Sequence, residues 1–101
     1  MAIRQKCEAS TKNNGSASVL YRILTEQKNI DQIKSLLRSY GLDYTLFYGE
    51  GAWQGNPENS MAIELANLPR VLAESVSITI KQMNGQEAIL LQEIPTRNIF
   101  L

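Results

Sequence analysis

Beyond residue 18 the apolar positions switch repeatedly between strand-like and helix-like spacing. Val19 to Thr25, VLYRILT, is short, apolar and partly β-branched or aromatic, with a Ser/Gly cluster before it, so it predicts a strand buried on both sides at its middle. Ile30, Ile33, Leu36, Leu37 and Tyr40 then recur at helical spacing, with Lys34 and Arg38 on the other face. Asn29 or Asp31 is placed to cap this helix through a side-chain oxygen, and Gly41 stands where a left-handed residue ends it. Leu42 to Tyr48 alternates again, Tyr44, Leu46 and Tyr48 on one side and Thr45 and Phe47 on the other. After a glycine-rich connection, Ser60 to Leu65 returns as a strand. The connection is too short for a crossover helix, which makes these two strands antiparallel neighbours.

Asn67 and Pro69 open a second helix that carries Leu72, Val76, Ile80 and Met83 on one stripe. Its run Val76-Ser77-Ile78-Thr79-Ile80 has the composition of a strand, yet the start signal before it and Asn84-Gly85 after it predict a helix. Ala88 to Ile94 forms the last strand, interrupted by Pro95. Residues 1–18 stand apart as an N-terminal arm: residues 2–10 either pair as an edge strand, turned by Asn14-Gly15, or form a mobile extension. Residues 19–101 form a single domain. Its order, β-α-β-β-α-β, is that of ferredoxin-like α+β domains, a four-stranded antiparallel sheet with both helices on one face. The other face stays open unless another subunit covers it.

Composition narrows the chemistry. The chain of 101 residues holds 10 basic and 10 acidic side chains, so no overall field draws it to nucleic acid or to an anionic membrane. With no run of about 18 apolar residues and no leader pattern, the expectation is a cytoplasmic protein without membrane association. Its single cysteine, Cys7, provides no internal disulfide, redox pair or thiolate cage. The absence of histidine excludes histidine-dependent triads and imidazole metal sites. No cofactor is implied.

The segment Gly49-Glu50-Gly51-Ala52-Trp53-Gln54-Gly55, preceded by GLDYTLFY and followed by an apolar strand and an α-β finish, resembles the PII signal-transduction and PII-like family. The ending Asn98-Ile99-Phe100 is similar to the Lys-Ile-Phe near that family's last strand. The resemblance implies a protruding loop after the second strand, a trimer, and nucleotide held in clefts between subunits. Here Ala52, Trp53 and Gln54 replace the arginine and lysine of the family's pattern, the connection is far shorter, and only Arg97 represents the basic residues near the family's chain end.

On the residues themselves, glycines admit a ligand close to backbone amides, and Trp53 offers a flat face for stacking. Gln54 and Asn56 can read amides or hydroxyls, and Glu58 and Ser60 lie at the far end of the connection. Gly49, Gly51, Trp53, Gln54, Gly55, Glu58 and Arg97 are therefore the candidate ligand-binding residues. The alternative is a bulged hairpin whose tryptophan anchors on its own sheet or on a neighbouring subunit. Glu50 and Glu58 are the loop's carboxylates and, as a pair, the weakest basis for catalysis. Three functions follow: a non-enzymatic homo-oligomer, trimeric by the resemblance, that senses or sequesters a nucleotide-like ligand; a small interaction or inhibitor protein using the open face and Trp53 against a protein partner; and an enzyme, for which no usual constellation is present.

Overall fold

The computed structural model describes residues 16–101. The expectations for residues 2–10, for Asn14-Gly15 and for Cys7 lie outside them. The elements run β1 (Ser16–Glu26), α1 (Ile30–Ser39), β2 (Asp43–Trp53), β3 (Asn56–Ala66), α2 (Arg70–Asn84) and β4 (Leu90–Asn98). The strands form a four-stranded antiparallel sheet in the order β2-β3-β1-β4. This is the expected ferredoxin-like α+β fold: β1 and β2 are parallel with β3 between them, β3 and β4 parallel with β1 between them, and a helix makes each connection.

One face of the sheet holds the core. Tyr21, Ile23 and Thr25 of β1 and Met61, Ile63 and Leu65 of β3 are buried there with Ile33 and Leu37 of α1 and Ala73, Val76 and Ile80 of α2. Alternation sends Arg22 and Leu24 to the opposite face, so β1 is buried on one side only, not on both as its composition suggests. In α2 the β-branched run is helical because Val76 and Ile80, one turn apart, both reach the core. The hydroxyls in that run donate to backbone carbonyls one turn back, Ser77 Oγ to Ala73 O at 2.8 Å and Thr79 Oγ1 to Ser75 O at 2.9 Å.

The helix ends show what local chemistry decides. Gly41 has φ 67°, and its N–H donates to Arg38 O while that of Leu42 donates to Leu37 O, the paired bonds of a Schellman ending. Gly85, φ 64°, ends α2 in the same way through Gln82 O and Lys81 O. Asn29 stands at the N-cap of α1 but makes no side-chain capping bond. Its backbone is left-handed at φ 55°, and its side-chain amide is turned toward α2, donating to Met83 O and to Asn84 Oδ1. Pro95 does not interrupt β4: it pairs with Val19, and the strand continues to Asn98. An edge strand allows this, because a residue without an amide hydrogen can turn its nitrogen away from the ladder.

The glycine-rich segment also departs from expectation, since it is strand and not loop. Pairing between β2 and β3 runs unbroken from Asp43↔Ala66 to Trp53↔Asn56, without a bulge. Only Gln54 and Gly55 turn the chain, with φ 51° and 83°, as a two-residue type I′ hairpin requires. The pairing of β3 with β1 stops at Glu26↔Ser60, just before Gln27 N–H donates to Asn59 O at 3.1 Å. Residues 50–59 therefore continue past the pairing with β1 as a two-stranded ribbon. At the other end of the sheet β1 and β4 run on as a pair, to Ser16↔Asn98, past the β1–β3 ladder that begins at Tyr21↔Leu65.

Candidate functional site

Register and alternation dictate what the ribbon presents. Phe47, Gly49, Gly51 and Trp53 share one side of β2, with Ala62, Ser60, Glu58 and Asn56 opposite them on β3. Phe47 and Trp53 are 51% and 52% exposed, six residues or about 20 Å apart along the strand. Between them Gly49 leaves the backbone bare, while the Ser60 side chain sits over Gly51. Neither glycine has a positive φ, and a Cβ on Gly49 would meet nothing, so the turn does not require these glycines. A Cβ on Gly51 would lie 2.9 Å from Ser60 Oγ. The result is a short shelf of strand, bare at Gly49 and roofed by the Ser60 hydroxyl at Gly51, with an aromatic ring at each end and Glu58 opposite Gly51.

The other candidate residues fall as follows. Gln54 and Gly55 form the tip beside Trp53. Glu50 pairs with Asn59 and Glu58 with Gly51, so the two carboxylates point to opposite sides of the ribbon and do not form an acid–base pair. Arg97 pairs with Ala17 in β4, nine positions along β1 from Glu26, about 30 Å from the base of the ribbon. Within one chain it does not join the shelf. Among the described residues no group of histidine, cysteine, aspartate and glutamate is arranged to hold a metal ion, and no helix is long and apolar enough to cross a membrane.

A second feature lies between α2 and β4. A cavity of about 430 Å³ is lined by Arg70, Glu74, Ser77, Ile78, Ile89, Leu91 and Glu93. Arg70 Nε is 3.0 Å from Glu74 Oε2 and 3.7 Å from Glu93 Oε2, and the Tyr21 hydroxyl donates to Glu93 Oε2 at 3.0 Å. Burial, then the bond to Glu93, pushes the Tyr21 phenol above its ordinary range. The hydrogen bond to Glu74, then the charge of Glu93, holds the Arg70 guanidinium more firmly protonated. The Arg70 and Glu74 spacing of one helical turn is visible in the sequence. Nothing local announces Glu93, which reaches them only because the sheet register sets it opposite Tyr21.

The open sheet face is layered. Thr45, Glu64, Arg22 and Gln92 form a polar row across the strands, flanked on one side by Phe47, Ala62, Leu24 and Leu90 and on the other by Ile94 and Leu20. Arg22 donates to Glu64 Oε2 through Nε at 3.0 Å and Nη2 at 2.7 Å. Gln92 Oε1 is buried and accepts no hydrogen bond. Such an acceptor is costly to leave unpaired.

No protein-family model matches the chain, and no characterised protein matches it in sequence. Its fold does have solved counterparts. CPII, a nitrogen-regulatory PII-like protein of Thiomonas intermedia solved with ADP, AMP and bicarbonate, superposes with a TM-score of 0.64 over 86% of this chain and 98% of its own, at 13% identity. A phage SAM lyase in its apo state gives 0.55 over 83% and 87%, at 13% identity. A PII-like signalling protein of Thermus thermophilus gives 0.50 over 85% and 92%, at 17% identity. The chain thus shares its fold with PII-like proteins, as the glycine segment and element order led one to expect.

Proposed function

We propose that the protein is a non-enzymatic binding protein of PII-like type, which assembles with copies of itself, as a trimer, and holds a nucleotide-like ligand at the junctions between them. The shelf carries this proposal. Bare backbone at Gly49 lets a flat ring lie against the strand, and Phe47 and Trp53 offer faces on which a base can stack. Ser60 Oγ and the Glu58 carboxylate are placed to meet ligand hydroxyls or amino groups, and Gln54 does so at the tip. The adenine nucleotides bound by CPII support the ligand class. The layered open face, with apolar rows on either side of the polar row, supports self-association, because another copy supplies apolar cover.

The test has two measurements. Light scattering gives the mass in solution, where a multiple of 11.3 kDa is expected. Thermal shift with ADP, AMP and S-adenosylmethionine, on wild type and on Trp53→Ala, then reads binding. Ligand at 100-fold its Kd stabilises the fold by about 2.7 kcal/mol, and Trp53→Ala removes most of that gain. A monomer that no ligand stabilises overturns the proposal and leaves the open face to a protein partner. Consumption of S-adenosylmethionine during incubation overturns the non-enzymatic part, since one structural counterpart is a SAM lyase.

A further inference from the structure

Trp53 and the cavity between α2 and β4 are each incomplete. The ribbon beyond Ser60 has no third strand among the described residues, and isolated two-stranded ribbons are marginal in water. A tryptophan half exposed near its tip adds to the apolar surface that has no cover. The cavity is open, with Ile78, Ile89 and Leu91 as apolar lining and Arg70, Glu74 and Glu93 as polar lining. Ile78 is itself 54% exposed, and Val71, two turns earlier on the same side of α2, is 67% exposed. The internal packing of the domain explains neither.

The two features cannot meet within one chain. Counting along the register, Trp53 lies four positions beyond Ser60's partner Gly49, and Glu93 lies opposite Tyr21, five positions before Glu26. That places them about 30 Å apart along the strands, on opposite sides of the sheet's centre. They complement each other chemically. An indole needs apolar contact for its ring and an acceptor for its N–H, which Glu74 or Glu93 provides, and the Arg70 guanidinium suits the ring face. At about 430 Å³ the open cavity has room for an indole against its wall.

We infer that the ribbon of one copy reaches the α2/β4 cavity of a neighbouring copy and that Trp53 closes it, Arg70, Ile78 and Glu93 of the second copy completing the junction. The inference rests on the proposed ligand at a subunit junction and names the residues on its second side. Its test uses the full chain. Trp53 is the sole tryptophan, so its emission reports its own surroundings. Ile78→Glu alters the exposed cavity wall without touching the core, with circular dichroism as the check on folding.

Wild type should emit at shorter wavelength than the diluted monomer, and Ile78→Glu should abolish that shift. Trp53→Ala and Ile78→Glu should each lose the thermal shift given by ADP. Mixed in equal amounts, they should regain it at about a quarter of the junctions, where an intact ribbon meets an intact cavity. If ADP stabilises wild type but emission ignores Ile78→Glu and mixing restores nothing, the inference is overturned and the proposed function stands. Emission that responds to Ile78→Glu in a protein ADP does not stabilise keeps the junction and removes the nucleotide. Solvent-like emission from a monomer at every concentration removes both.

Discussion

Asn84 shows how much one buried polar residue can join. It is 2% exposed, donates to Thr25 Oγ1 and Gln86 Oε1, and accepts from Asn29, which ties the end of β1 to the N-terminus of α1 and the C-terminus of α2. Thr25 also donates to Gln86 Oε1. Replacing Asn84 by Ala removes three hydrogen bonds, each worth about 0.5–1.5 kcal/mol net, although Asn29 keeps its bond to Met83 O and Thr25 its bond to Gln86. Urea unfolding of Asn84→Ala should therefore show a loss of at least that size, and a change under about 0.5 kcal/mol would contradict the network. Tyr21 gives a residue-scale prediction about pH. Its phenol is raised above 10.0, so the folded protein holds that proton where the unfolded chain releases it. The associated stability is fully present below about pH 10 and declines as pH rises through the folded value. Alkaline unfolding curves should thus lose part of their slope in Tyr21→Phe, and identical slopes would rule the effect out. Neither network is legible in the sequence. Asn29 reads as a cap because Asn favours that position, but only the folded chain brings Asn84 within reach of its amide.

At the scale of elements the sequence is more informative, since helix periodicity and the two glycine endings place α1 and α2 within about a residue or two of where they lie. The β2–β3 ribbon is where the sequence misleads. Glycine weakens strand propensity, so GEGAWQG reads as loop, whereas the cross-strand ladder holds it extended and the chain turns only at Gln54-Gly55. Gly55→Val should oppose the left-handed backbone at φ 83° and cost about 1–2 kcal/mol, visible as a lower urea midpoint. Replacing residues 50–59 by a two-residue Asn-Gly turn makes a different prediction. These residues lie beyond the pairing with β1 and none belongs to the buried core, so the melting temperature of the monomer should move only a few degrees while ADP binding disappears. A shortened protein that fails to fold would mean the ribbon supports the sheet after all.

For the whole molecule, the division between a helix-covered face and an open face follows from two-residue alternation in β1 and β3 and is readable in outline. The polar row between apolar rows is not, because it exists only once four strands are in register. Leu24→Glu places a charge in an apolar row while leaving the core intact. Light scattering should then find 11.3 kDa where wild type is a multiple of it, and an unchanged mass would show that assembly does not use this face. The stagger of the sheet has a further consequence. A chain whose ribbon projects at one end and whose receiving cavity lies toward the other has a donor and an acceptor that engage different neighbours. Such contacts are directional, and growth stops only when the last copy returns to the first. Gly49 sits opposite Ser60, where support from β1 ends, and so lies at the joint that sets the angle of the arm. On the proposed assembly, closure into a ring or growth as a fibre is then decided at a few residues of strand, Gly49 of the shelf among them.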